Sequence, residues 1–226
     1  MIDTIIIAGI IAVVAIIIVA VVLAERARKK ALAAVAESLG FSVDFNPDPS
    51  ARVNAYAALG RPWSDLRKGP EGVQWCMAGT LSGRYVTLVQ HRYTTGSGKS
   101  RQIHDHAVVA TPAPELWPTV TLTRENLFHK IGALVGSRDL QLEDADFNRR
   151  WRVASDNEDF SLLALTPEIQ GWSMSLPKDS VVRFGGGAIT VARRISVGAR
   201  DIPALVESCA RLADLIPGEL DHWTPA

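Results

Sequence analysis

Residues 73–111, VQWCMAGTLSGRYVTLVQHRYTTGSGKSRQIHDHAVVAT, hold three runs of alternating and β-branched residues parted by short polar turns. The runs are Val73 to Thr80, Arg84 to Tyr93 and Ile103 to Thr111. Ser82-Gly83 parts the first two, and a polar, glycine-containing loop parts the second from the third. Turns this short join antiparallel neighbours, so the stretch predicts a meander. A fourth run, Thr119 to Leu122, follows the breakers of Pro112 to Pro118. Helical signals gather on either side of these strands and do not alternate with them. The fold class expected is α+β, an antiparallel sheet with a few helices.

On the N-terminal side stands Ile5 to Ala24, IIIAGIIAVVAIIIVAVVLA, which has no charge and no strong polar group. At about 1.5 Å per residue such a helix spans roughly 30 Å, the hydrocarbon thickness of a bilayer. Asp3 precedes it, while Arg26, Arg28, Lys29 and Lys30 follow. Basic residues are retained in the cytoplasm, so the short N-terminus is expected outside and the rest of the chain inside. A cleaved signal peptide is the rival, with Val22-Leu23-Ala24 as its cleavage site. The basic n-region is missing, however, and the apolar run is longer than such segments usually are. The organisation expected is residues 1–24 as external N-terminus and transmembrane helix, 25–40 as a juxtamembrane helix closing at Gly40, and 41–226 as a soluble domain.

Downstream, Phe41 to Phe45 alternates as a short strand, and residues 50–72 read as loop with one short helix. Arg124 to Val135 reads as helical. Phe147 to Val153 alternates, placing Phe147, Trp151 and Val153 on one side of a strand and Arg150 and Arg152 on the other. Ser155-Asp156 is expected to cap a short helix, and Thr166-Pro167-Glu168 to start another. Val181 to Phe184 and Ala188 to Ala192 form a hairpin around Gly185-Gly186-Gly187. Asp201-Ile202-Pro203 opens a last helix whose apolar residues recur at helical spacing, and Pro217-Gly218 ends it.

The stretch Leu142 to Pro167, LEDADFNRRWRVASDNEDFSLLALTP, resembles an uncharacterised family of bacterial membrane-associated proteins, a domain of unknown function. Its pattern matches at Glu143, Phe147, Trp151, Val153, Ser155-Asp156, Leu165 and Thr166-Pro167. Gly79-Thr80, Gly83-Arg84 and His106 are similar to the family's upstream sheet, and the hairpin of Val181 to Ala192 follows in the same order. The resemblance covers most of residues 73–193. It implies a membrane-linked bacterial protein and no particular reaction.

Lysine plus arginine equals aspartate plus glutamate, 24 each, so no global charge draws the chain to nucleic acid. Arg149-Arg150-Trp151-Arg152 mixes bases with an aromatic, but Trp151 falls on the apolar side of its strand. Gly96-Ser97-Gly98-Lys99-Ser100 ends like a P-loop, yet Tyr93 stands where the loop's first glycine belongs and a strand follows. The acids Glu143-Asp144-Asp146 and Asp156-Glu158-Asp159 lack EF-hand spacing and suit helix N-termini. Cys76 and Cys209 form no CxxC pair and read as small buried side chains. The sharpest chemical hint is His104-Asp105-His106. Both imidazoles share a strand face, and if the hairpin turns near Ser97, His91 comes opposite the region of residues 103–106. The sequence does not fix that register, and one slip would turn His91 away. Three such imidazoles are the ligand set of an open zinc site.

Two functional readings result. One is a membrane-anchored binding or scaffolding module, without catalytic residues, whose partners are the bilayer and a protein. The other is a membrane-tethered, metal-dependent hydrolase using His91, His104 and His106. A third, weaker one is contact with anionic lipid through Arg26, Arg28, Lys29 and Lys30.

Overall fold

The computed structural model describes residues 2–60, 66–124 and 138–224. The first helix, α1, is one unbroken element, Ile2–Ser38. It is the one described helix long and apolar enough to cross a membrane, and none of that apolar window is buried in the protein. Charged residues from Glu25 onward do not interrupt it, because Ala, Glu, Arg and Lys are all strong helix formers. Its last turns change role: Leu32 and Ala36 are 1% exposed and belong to the main hydrophobic core. Gly40, at φ +69°, then lets the chain reverse, and Phe41 N donates to Ala36 O at 2.8 Å.

Nine described strands form one antiparallel sheet: β1 (Ser42–Asp44), β2 (Val73–Leu81), β3 (Arg84–Thr95), β4 (Gln102–Pro112), β5 (Val120–Arg124), β6 (Arg138–Leu140), β7 (Trp151–Ser155), β8 (Ser180–Gly185) and β9 (Ala188–Arg193). Their order is β1-β2-β3-β4-β9-β8-β5-β7-β6. One register row crosses all nine: Val43, Met77, Leu88, Val109, Val191, Val182, Leu122, Val153, Leu140. Every member is apolar, and this row floors the main core. The α+β layout is as expected, and so is the β2-β3-β4 meander.

The meander does not continue into β5. The β8–β9 hairpin stands between β4 and β5, while residues 113–118 cross the end of the sheet beneath its glycine turn. Ala113 N donates to Gly187 O and Gly186 N to Trp117 O, at 3.0 and 3.1 Å. Proline-rich backbone cannot extend a ladder, so the crossover satisfies its polar groups on the neighbouring turn.

The helices cover the sheet. α2 (Pro49–Ala57) is capped by Asp48, whose side chain accepts from Ala51 N. Its Ala55, with Leu59, packs in a second, smaller core on Val73, Val89, Val108 and Ala110. Phe147 does not join a strand. Residues Ala145–Arg150 form a short helix, α3, and the strand begins only at Trp151. Asp144 accepts from the amides of Asp146 and Phe147, and Asn148 exchanges hydrogen bonds with the backbone of Leu142 at 3.0 and 2.6 Å. These local bonds compete successfully with the ladder. Phe147 and Trp151 are both buried even so.

In α4 (Glu158–Ala164) the cap is Asn157, which accepts from Phe160 N at 2.8 Å, rather than the expected Ser155-Asp156 pair. Ser155 and Asp156 instead brace the turn before it: Asn157 N donates to Ser155 Oγ, and Thr119 N donates to Asp156. Thr166 caps α5 (Pro167–Ser175) as read. The last helix, α6 (Ile202–Leu215), lays Ile202, Leu205, Val206, Cys209 and Leu212 on the sheet. The helix expected from Arg124 to Val135 lies outside the described residues after Arg124, which itself ends β5.

Candidate functional site: the β3–β4 hairpin and its histidine face

The site is built where α1 meets the β3–β4 hairpin. Just past the end of α1, the Phe41 ring packs against Gly79, where an added Cβ would come 2.2 Å from ring Cδ1. Gly79 is the register partner of Val86 in β3. At the near end, the Arg92 guanidinium is held charged by its bond to Asp105 and, more weakly, by the charges of Asp105 and Glu25. The rise from Glu25 to Ala36 is about 16 Å at ~1.5 Å per residue. The strand from Val86 to Arg92 covers about 20 Å at ~3.3 Å per residue. With Lys29 beside Phe45 and Ala36 hydrogen-bonded to Phe41, the last turns of α1 run opposite to β1 and hence, through the β1–β2–β3 registers, opposite to β3. The tip of the β3–β4 hairpin points the way the apolar half of α1 leaves the domain.

That tip carries Ser97, Gly98, Lys99, Ser100 and Arg101, all exposed, and Ile103 beside it is 57% exposed. Gly98–Ser100 is a single 3₁₀ turn closed by a Ser97–Ser100 capping box, a hairpin tip and no phosphate loop. The basic residues after the apolar run lie in the solvent-exposed middle of α1. Arg26, Lys29 and Lys30 are exposed, Arg28 pairs with Glu25 at 3.5 Å, and Lys29 Nζ stands 5.8 Å from the centroid of Phe45.

On the hairpin's opposite face the three histidines do come together. His91 pairs in register with His106, and Tyr93 with His104, so all four rings share one face. Tyr93 organises them: its ring stacks on His104 at 4.7 Å and on His106 at 5.6 Å, and meets His91 edge-on at 6.2 Å. His91 Nε2 is 2.9 Å from Gly69 O and donates to it. Gly72 has no room for a side chain, since a Cβ there would fall 2.1 Å from the same nitrogen. Thr95 Oγ1 is 2.8 Å from His104 Nε2.

This geometry serves packing better than ligation. The tyrosine ring occupies the space that convergent nitrogens need, and one nitrogen each of His91 and His104 is already engaged. Among the described residues, no group of three His, Cys, Asp or Glu side chains is disposed to hold a metal ion. Burial disfavours the charged imidazole. It lowers the pKa of His91, partly opposed by the Gly69 bond. His106 is pushed down to about 4, chiefly by burial, with the charges of Arg194, His91 and His104 adding to it. Both rings are neutral at pH 7, each with a buried Nδ1 lacking a protein partner. Tyr93 escaped the sequence reading, although the same period-two rule that linked His104 to His106 links it to His91.

This architecture has a solved counterpart. A crystal structure of the mycobacterial trehalose monomycolate transport factor A, TtfA, is similar over 83% of this chain and 95% of that one. The TM-score is 0.52 and the identity 12%, so the likeness is one of fold. No family model and no curated protein matches the sequence.

Proposed function

We propose that this chain is a single-pass membrane protein, N-terminus outside, whose α+β domain works in the cytoplasm as a binding or scaffolding module. One observation carries the reading: α1 is continuous from its exposed apolar half to Leu32 and Ala36 in the domain core. No linker separates anchor from domain. Such a connection holds the domain, and the β3–β4 hairpin with it, at a set attitude to the bilayer. Confinement of this kind raises the effective concentration of the domain near a membrane-embedded partner. The similar fold of a protein named as a transport factor supports an accessory role in moving material at a membrane, with a protein partner there. The resemblance of Leu142 to Pro167 to bacterial membrane-associated proteins points the same way.

The test is topology and capture in one experiment. A photo-crosslinking residue replaces Ser97 in the full chain, and inverted membrane vesicles are treated with alkaline carbonate and with protease. The anchor is expected to resist extraction, the domain to be degraded from the cytoplasmic face, and irradiation to link Ser97 to an integral membrane protein. Extraction of the full chain by carbonate, or protection of the domain in inverted vesicles, defeats the reading.

A further inference from the structure

Away from the hairpin, Arg124, Arg149, Arg150 and Lys178 line a cleft of about 490 Å³ whose other walls are Met174, Leu176 and Pro177. No carboxylate lines it among the described residues. Arg149 and Arg150 occupy the last turn of α3, where the helix dipole favours cations, and Arg149 also pairs with Asp146. Their presence has a structural reason. Arg124 does not share it. Its guanidinium lies over the Trp151 ring, 4.1 Å from the centroid, and Nη2 donates to Leu176 O at 2.9 Å. Its Nε is buried without a hydrogen-bond partner. Burial and the Arg150 charge both work against the charged form, in that order.

A half-buried arginine that shares a cleft with three other cations and no carboxylate among the described residues is electrostatically uncompensated. Anionic oxygens supply what is missing, and guanidinium forks match phosphate geometry closely. The apolar wall of Met174, Leu176 and Pro177 suits the carbon skeleton attached to such a group. We propose that this cleft binds a phosphate-bearing anion, seated between Arg124 and Arg150, with Lys178 at its rim. The ligand chemistry is that of a phosphoester, carried by an anionic lipid headgroup or by a soluble metabolite.

The test uses the full chain in neutral detergent micelles at about 150 mM salt, where diffuse surface attraction is screened. Calorimetric titrations employ inorganic phosphate, sn-glycerol 3-phosphate and dihexanoyl phosphatidylglycerol, with dihexanoyl phosphatidylcholine as the uncharged-headgroup control. Saturable binding is expected, weakened about tenfold or more in Arg150→Gln/Lys178→Gln, the loss of about 1.4 kcal/mol or more. Both side chains are exposed, so this variant keeps its fold. Arg67→Gln/Arg211→Gln, exposed and outside the cleft, removes the same charge and leaves binding unchanged. Preference for phosphatidylglycerol over both soluble anions assigns a lipid headgroup, and the reverse assigns a soluble phosphoester. No binding of any probe overturns the proposal, as does equal weakening in the two variants.

Discussion

Acidification from about pH 7.5 to pH 5 should destabilise the domain through the histidine face, before most carboxylates begin to titrate. The folded chain keeps His106 neutral down to about 4, against an ordinary value of 6.5. Between these limits the unfolded chain binds a proton that the folded chain refuses, so stability is full above 6.5 and declines as pH falls. At about 1.4 kcal/mol per tenfold difference, the whole effect is about 3 kcal/mol, of which about 2 kcal/mol is lost by pH 5. His91 acts in the same direction. A loss of this size is a large part of the ~5–15 kcal/mol that typically holds a domain together. The assay is urea unfolding of the full chain in micelles, followed by tryptophan fluorescence at several pH values. His106→Phe keeps a ring stacked on Tyr93 while removing the titrating nitrogens. Its stability should be nearly that of the parent at pH 7.5, with most of the decline toward pH 5 abolished. A parent whose urea midpoint is flat from pH 7.5 to 5, or a variant that declines just as steeply, would refute the reasoning.

Leu32→Ala empties a site that is 1% exposed in the main core and should cost about 2–5 kcal/mol. Gly79→Ala drives a methyl into the Phe41 ring, and overpacking of this kind costs about 1–3 kcal/mol. Both changes should lower the urea midpoint and expose residues 25–41 to limited proteolysis, whereas an unchanged cleavage pattern would separate α1 from the core. Gly72→Ala displaces His91 from Gly69 and should raise the imidazole pKa as water reaches the ring, which histidine NMR titration reads directly. Cys209, buried and with its thiol pushed up to about 12 by that burial, should resist maleimide until the domain unfolds. Half-buried Cys76, raised in the same way and also by Asp44, should react slowly in the native state.

Much of the architecture was legible because it is written in local patterns. The apolar run of α1, the β2-β3-β4 strands and the β8–β9 hairpin around Gly185-Gly186-Gly187 each carry their own period and their own turn residues. The same holds for the Thr166 cap and the apolar stripe of α6. A turn near Ser97 would bring His91 opposite residues 103–106, but one slip of register would turn it away; the structure supplies the register by pairing His91 with His106. The sequence failed where two local solutions compete. Phe147 to Val153 alternates like a strand, but the side chains of Asp144 and Asn148 offer the backbone a helical alternative, and α3 results.

Strand order was decided only in the tertiary structure. Nothing local tells β5 to bypass β4 and pair with β8, since that choice depends on residues some sixty positions apart finding a common floor for α4, α5 and α6. The histidine cluster shows the same division. Period two places the rings on one face, whereas the use made of that face depends on Tyr93 filling its centre and on Gly69 and Gly72 closing over His91. The cleft beside Arg124 is further still from any sequence signal, for its cations come from β5, α3 and the turn after α5. Sequence determined most of the segments that are helix or strand, and which helix is long and apolar enough to cross a membrane. Packing of distant segments determined which side chains meet, because that free energy exists only once the chain has closed on itself.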